Sequence, residues 1–294
     1  MRQLFEPRAR RFESLATASS LGVLLMLIHG AAFAAQADPT LATVVVTGAE
    51  ATEAQKAEKQ LSKVPGKTAV IDNRKIEQGR AANAEDVLAL QPGVFAQATS
   101  GSGANKISIR GSGLNTFYQG YVLGIKFLYD GLPLTGPGGT QEDMLDMASV
   151  DHTEVLYGAN AFRYSALSLG GAINFVSKTG RTDPGNYARF EAGSFGYRKE
   201  QLSTGGVDGD NDYYVSIQHN ERDGYQDNTP NKGQGIVANF GHVFSPQLET
   251  RFYIRYKEET LSQGNTLTKY QLKHDPTSNL VPIGRKKDGS TLLG

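Results

Sequence analysis

The pattern of apolar and polar residues changes near residue 187. From there onward, apolar and polar positions alternate with the period of two that is typical of β-strands with two unlike faces. The apolar positions of four successive segments are Ala188, Phe190 and Ala192; Tyr213, Val215 and Ile217; Ile236, Ala238 and Phe240; and Phe252, Ile254 and Tyr256. The polar residues between them include Arg189, Glu191, Ser216, Gln218, Asn239, Arg251, Arg255 and Lys257. This pattern predicts antiparallel strands, either in a membrane barrel with its apolar face outward or in a soluble sandwich.

The lengths of the predicted connections favour the barrel over the sandwich. Residues 208–211 and 244–248 form short connections, whereas residues 221–233 and the chain beyond Glu258 form longer ones. Outer-membrane barrels alternate short periplasmic turns with long external loops in this way. Residues 193–196 would then be a short first external loop.

Upstream of residue 187 the pattern mixes strand and helix signals. Thr68–Ile71 reads as a short strand, and Asn83 can cap a helix from Ala84 to Leu90, with Val87, Leu88 and Leu90 on its buried side. Ala49–Lys63 is charged and rich in alanine, so it is either a solvated helix or a flexible tether. This part of the chain is therefore predicted to be a mixed α+β domain.

Three further segments of this domain have strand patterns. The run 106–111 alternates so that Ile107 and Ile109 share one face. Residues 127–134 read as strand, Asp-Gly turn and strand. Residues 154–158 and 170–178 are apolar runs joined by a small-residue segment, which predicts strand, tight helical turn and strand.

The N-terminus has the features of a secretory signal peptide. Arginines precede an apolar core at Leu21–Ile28, and small residues between Ala34 and Ala37 offer a cleavage site. The apolar core is far shorter than the roughly 20 residues that a spanning helix needs. Residues 1–37 are therefore expected to direct export from the cytoplasm.

Composition excludes several classes of function. The chain has 30 basic and 30 acidic residues without a basic stripe, which argues against nucleic-acid binding. It has no Cys, so disulfides, Cys-based metal sites and thiol catalysis are excluded. Neither His-Glu-x-x-His nor Gly-x-Ser-x-Gly occurs, so a secreted periplasmic enzyme is disfavoured. No cofactor and no metal site is predicted.

A β-branched run at residues 41–48 follows the signal peptide. Thr43, Val44, Val45, Val46 and Thr47 favour an extended backbone, and Gly48 ends the run. It is either the first strand of the next domain or an extended peptide that adds to a partner's sheet edge.

Several motifs, in order, resemble those of TonB-dependent outer-membrane receptors. They are the run 41–48, which is similar to the TonB box; Ile109-Arg110-Gly111; Asp130-Gly131-Leu132-Pro133; Glu154-Val155-Leu156; and Gly170-Gly171-Ala172-Ile173-Asn174. The resemblance implies a signal peptide (1–37), a TonB box (41–48), a linker (49–67), an α+β plug domain (68–180) and the first strands of an antiparallel transmembrane β-barrel (185–294). About 22 strands are expected in the complete barrel, so the chain is expected to be an N-terminal fragment that ends in an external loop.

The resemblance also assigns roles to particular residues. Thr43–Thr47 would bind TonB, and Arg110 and Glu154 would make buried ionic contacts between plug and barrel wall. Tyr157 departs from the pattern, since relatives often have Arg there. An acidic group of Glu142, Asp143, Asp146, Asp151 and Glu154 lacks the spacing of a calcium loop and is expected to be solvated.

The implied function is high-affinity uptake of a scarce ligand, a ferric siderophore or related iron chelate, across the outer membrane. The implied partners are TonB, outer-membrane lipid and that small-molecule ligand, and the residues that contact the ligand are not identified. The alternative is a periplasmic plug-like binding module or a truncated product that does not transport.

Overall fold

The computed structural model describes residues 51–72, 74–77, 79, 83–98, 105–112, 124–136, 139–140, 144–158, 161, 170–262, 264, 267–279, 282–285 and 291–293. The predicted signal peptide and TonB box, including Thr43–Thr47, lie outside these residues. So does most of the predicted helical turn between residues 158 and 170.

The N-terminal half contains short helices and strands. In chain order they are α1 Glu53–Leu61, β1 Thr68–Asp72, α2 Arg74–Glu77, α3 Ala84–Leu88, β2 Val94–Ala98, β3 Asn105–Ile109, β4 Ile125–Tyr129, β5 Leu132–Pro133, β6 Thr135–Gly136, β7 Gly139–Thr140, a 3₁₀-helix Met147–Ser149, β8 Val150–Tyr157 and β9 Gly171–Ser177. Five strands form one sheet, called here the mixed sheet, in the order β1-β8-β9-β4-β5. Strands β4 and β9 run parallel, whereas the other neighbours are antiparallel. The strands predicted in this region are thus confirmed.

Helix α1 is amphipathic although its sequence is mostly charged. Thr52 caps it: the Thr52 hydroxyl accepts from the Gln55 amide at 3.2 Å, and the Gln55 side chain accepts from the Thr52 amide at 2.9 Å. Ala54, Ala57 and Leu61 are buried, and Leu61 packs on the mixed sheet. The segment is therefore neither a tether nor a fully solvated helix.

The main core lies between α3 and the mixed sheet. Asn83 caps α3 as predicted, and Val87 and Leu88 are buried. The prediction for Leu90 was wrong, because its side chain is 94% exposed. The helix ends at Leu88, so Leu90 lies in the following turn and no longer follows the helical period.

The C-terminal half is dominated by five long strands. They are β10 Gly185–Ala192, β11 Arg198–Asp208, β12 Asn211–Arg222, β13 Asn231–Ser245 and β14 Leu248–Leu261. They form an antiparallel sheet in chain order, called here the long-stranded sheet. The chain beyond Glu258, predicted as loop, also contains α4 Lys269–His274 and a strand pair, β15 Pro282–Arg285 and β16 Thr291–Leu293.

In the long-stranded sheet the apolar face is exposed and the polar face is buried, which is the opposite of the arrangement in a soluble sandwich. Phe190 and Ile217 are 72% and 48% exposed on the apolar face. Ser216 and Asn239, on the opposite face, are 1% and 0% exposed. A soluble sandwich buries its apolar face, so the structure contradicts that alternative and agrees with apolar residues outward. Among the described residues, no helix is long and apolar enough to cross a membrane.

Candidate functional site

Arg110 lies in the turn after β3, on the mixed-sheet side of the molecule. Its backbone has a φ of 51°, and its guanidinium carbon lies 5.3 Å from the centroid of the Tyr157 ring. The Lys67 ammonium lies 4.6 Å from the same centroid. Tyr157 thus contributes an aromatic ring to two cations.

Glu154 lies on β8 and is connected to the Asp-Gly hairpin through Asn174. The Asn174 side-chain amide donates to the Glu154 carboxylate at 2.9 Å. The side-chain oxygen Oδ1 of Asn174 accepts from the Gly131 backbone amide, also at 2.9 Å. In the described part of the chain, no hydrogen bond or ion pair joins Arg110 or Glu154 to the long-stranded sheet. Their contacts with a complete barrel wall stay a prediction.

Asp130 instead makes a buried ionic contact between the two sheets. Asp130 and Gly131 have φ of 52° and 75°, which is the left-handed backbone that a two-residue hairpin turn requires. The Asp130 carboxylate accepts from the Ser177 amide at 2.7 Å and from the Ser177 hydroxyl at 2.6 Å. It also pairs with the Arg255 guanidinium of β14.

The surroundings of this pair exclude most water. The side chains of Asp130 and Arg255 are 3% and 13% exposed. The Arg255 guanidinium carbon lies 4.0 Å from the Tyr129 ring centroid and 5.0 Å from that of Tyr253. Burial raises the pKa of Asp130, although the Ser177 hydrogen bonds and the Arg255 charge act in the opposite direction. Desolvation is therefore the larger effect, and removing either partner leaves the other charge buried.

Asp146 makes a second buried contact between the sheets. Its carboxylate lies 3.8 Å from the Lys199 ammonium of β11, and the two side chains are 3% and 4% exposed. Asp146 also accepts from the Ser149 hydroxyl at 2.5 Å and from the Ala148 amide at 3.3 Å, which caps the 3₁₀-helix. The prediction of a solvated acidic loop was therefore wrong for Asp146. It was also wrong for Asp151 and Glu154, whose side chains are only 13% and 15% exposed, whereas Glu142 and Asp143 lie outside the described residues.

Lys178, just after β9, joins α2 to the long-stranded sheet. Its ammonium pairs with Glu77 and lies 3.4 Å from the Asp183 carboxylate. Its carbonyl oxygen accepts from the Asn239 side chain at 2.7 Å. Arg189 of β10 completes the connection by donating to the Glu77 carbonyl at 2.7 Å.

Asp212 fixes the segment that leads from the mixed sheet into β10. Its carboxylate is fully buried and pairs with both terminal nitrogens of Arg251, at 2.8 and 2.9 Å. It also accepts from the Arg181 Nε and the Gly180 amide, each at 3.2 Å. A side chain at Gly180 would meet the Gly206 carbonyl oxygen at 2.2 Å, so only glycine allows this close approach.

These contacts favour a mechanical role for the interface. Polar and charged side chains, rather than an apolar core, join the two sheets. Each of these groups can form hydrogen bonds to water in place of its protein partner. Among the described residues, no group of three His, Asp or Glu side chains could hold a metal ion. The arrangement holds one domain against another through contacts that can be broken.

Sequence reasoning did not find the partners in this interface. Asp130 and Arg255 are 125 residues apart, and the local sequence indicates only a turn at Asp130. The available signal was the polar face of the period-two pattern, which contains Arg251, Arg255 and Asn239. That pattern shows which residues face inward but not which residue each one meets.

Comparisons with known proteins identify both parts of the chain. Residues 60–172 match the TonB-dependent receptor plug domain family. Vitamin B12 transporter BtuB of Vibrio vulnificus is 25% identical over 76% of this chain and 36% of its own length. The iron-regulated outer membrane virulence protein of Vibrio cholerae is 31% identical over 54% of this chain and 24% of its own.

A solved structure shows the same fold. The Pseudomonas aeruginosa receptor FpvA, bound to a pyoverdine–iron complex, aligns with a TM-score of 0.53 and 21% identity, over 67% of this chain and 26% of its own. The chain thus spans about a third or less of the length of these relatives. The family consists of receptors and transporters, not enzymes. Residues 60–172 thus form a plug domain of the TonB-dependent receptor family, and the antiparallel strands that follow resemble the start of the barrels of these receptors.

Proposed function

We propose that the chain acts, as part of a complete receptor, in TonB-dependent uptake of a scarce ligand across the outer membrane. The observation that carries this proposal is the reversed burial of the long-stranded sheet. Exposed apolar side chains such as Phe252 and Ile254 suit lipid, whereas the polar face packs on the plug. Signal-peptide export (1–37) would bring the chain to that membrane.

The organisation proposed for uptake follows the predicted segments. The TonB box (41–48) precedes the segment predicted as a linker (49–67), whose helix α1 packs on the mixed sheet. The plug (68–180) and the strands (185–294) follow. In the complete barrel, Arg110 and Glu154 would face the wall. A structure of the full-length receptor with either side chain free in solvent would contradict this role.

The ligand class we propose is a ferric siderophore or a related iron chelate. Supporting this choice, one relative is named as iron-regulated and another was solved with a pyoverdine–iron complex. A third is named as a vitamin B12 transporter, which gives the competing ligand class. Uptake of radiolabelled iron chelates and of labelled vitamin B12 by cells with and without the receptor distinguishes the two.

The test of the mechanism is a proline substitution in the predicted TonB box. Strand addition needs backbone donors and acceptors more than particular side chains. Val45→Pro removes an amide donor and restricts the preceding residue. In the full-length receptor it should abolish energised uptake while ligand binding at the cell surface stays nearly unchanged.

The matched control is Val45→Ala, which keeps the amide and should reduce uptake much less. Surface binding and uptake are measured on the same cells. Undiminished uptake by the proline variant would overturn the TonB-box assignment, and loss of both binding and uptake would indicate misfolding instead.

A further inference from the structure

Three cations follow one another on the polar face of β14, but their counter-charges lie in different places. Arg251 pairs with Asp212 of β12 and with Glu249 of β14. Lys257 lies 3.2 Å from Glu259 of β14. These acids belong to the long-stranded sheet itself, so both cations stay neutralised wherever the plug is.

Arg255 differs, because its acidic partner is on the plug. Asp130 is held by Ser177 and lies at the tip of the β4–β5 hairpin. Tyr129, which stacks on the guanidinium, is also a plug residue, whereas Tyr253 is on β14. If the hairpin moves, Arg255 loses its counter-charge and keeps one aromatic neighbour.

An uncovered Arg255 has the properties of an anion-binding group. A guanidinium presents a planar fork of donors that fits carboxylates and similar anions. Within the described residues, its buried Nε has no hydrogen-bond partner even in the closed arrangement. Among the described residues, Asp130 is the only acid that pairs with Arg255, so an incoming anion would be favoured there once the hairpin has moved.

We propose that Arg255, together with Tyr253, is an anion-binding site that Asp130 occupies in this structure and that an anionic ligand occupies once the hairpin is displaced. The inference rests on the proposed function, because it is transport that moves the plug. The ligand class is an anionic chelate with carboxylate or similar oxygen groups. Asp130 thus acts as a built-in substitute for the ligand, and the exchange keeps Arg255 neutralised.

A cysteine reporter beside Arg255 tests this in the full-length receptor. Val237 lies directly opposite Arg255 in the β13–β14 register and is buried against the plug side. The chain has no Cys of its own. Val237→Cys is labelled in energised cells with an anionic sulfonatoethyl and a cationic trimethylammonium-ethyl methanethiosulfonate, and the two rates are compared.

We expect labelling to rise when TonB is active and the anionic reagent to be favoured. Arg255→Gln should lower the ratio of anionic to cationic rates about fivefold. Lys257→Gln, which makes the same charge change on the same strand, should lower it much less. The inference would be overturned if labelling rises with TonB but Arg255→Gln leaves the ratio of anionic to cationic rates unchanged. The proposed function would still stand in that case. Labelling that does not depend on TonB would count against the proposed function instead.

A second experiment tests the site without transport. Asp130→Gly keeps a residue that accepts the left-handed backbone and leaves a carboxylate-sized space beside Arg255. Formate should then bind and raise the melting temperature of the purified full-length variant by about 1–2 °C. The double variant Asp130→Gly/Arg255→Gln in the same formate series should show no such rise. An equal response of both variants would overturn the anion site.

Discussion

Gly171 offers a sharp test of how the plug is packed. Its φ is +149°, and a Cβ there would lie 2.3 Å from the Leu156 carbonyl oxygen and 2.9 Å from Ile109 Cδ1. The first contact is with backbone in the neighbouring strand β8, so the clash cannot be relieved by a rotamer change. Gly171→Ala should therefore separate β8 from β9.

The expected cost has two parts. A side chain in this backbone region costs about 1–3 kcal/mol, and the overpacking adds about 1–3 kcal/mol. We expect a loss of about 4 kcal/mol in the free energy of unfolding of the plug. Gly158→Ala is the matched control: its φ is +63°, and no described atom lies within 4 Å of the added Cβ. It should lose only about 1 kcal/mol, the cost of the left-handed backbone.

The assay is pulse proteolysis of the plug in the full-length receptor, in detergent, across a urea series. With a slope of about 2 kcal/mol per molar urea, the midpoint should fall by about 2 M for Gly171→Ala and about 0.5 M for Gly158→Ala. Equal midpoint shifts for the two variants would refute the argument that contact with Leu156, rather than backbone strain alone, requires glycine.

Three other substitutions test separate features. Leu88→Ala should destabilise the plug by about 2–5 kcal/mol because it opens a core cavity, whereas Leu90→Ala should cost less than about 0.5 kcal/mol; the same urea assay measures both, and similar losses would contradict the observed burial. Ile217→Arg should destabilise the receptor in lipid bilayers by about 2–4 kcal/mol, and an unchanged unfolding midpoint there would count against lipid contact. Asp212→Asn should cost about 3–5 kcal/mol because it removes the buried carboxylate that pairs with both terminal nitrogens of Arg251, and a loss in the Asp212→Asn/Arg251→Gln double variant equal to the sum of the two single-variant losses would show that the two side chains are not coupled.

Local features of the fold could be predicted from the sequence because they depend on neighbouring residues. The Asn83 cap depends on the spacing to Asp86, and the Asp130-Gly131 turn depends on two residues that tolerate positive φ. The alternation of the long strands needs only the period of two. Each of these signals lies within a few residues of the element that it predicts.

Features that depend on distant contacts could not be predicted in the same way. Helix α1 buries small alanines against the mixed sheet, and alanine has too little apolar surface to produce a clear pattern in a charged segment. Asp146 has the local sequence of an exposed loop, yet Lys199 covers it. The inward position of Arg255 does not identify Asp130 as its partner, because the register of strands within one sheet gives no information about the sheet packed against it.

The order of the long-stranded sheet has a consequence for how the protein folds. Within the described residues, each of its strands pairs only with its neighbours in sequence, so every hairpin closes a short loop at small entropic cost. The links to the plug span far more chain, 110 residues from Gly79 to Arg189 and 125 from Asp130 to Arg255. Hairpin formation should therefore be fast and sequential, and docking of the plug should be the slow step. The buried Arg255–Asp130 pair then forms late, when the plug and β14 are already built, so its loss should accelerate undocking far more than it slows assembly.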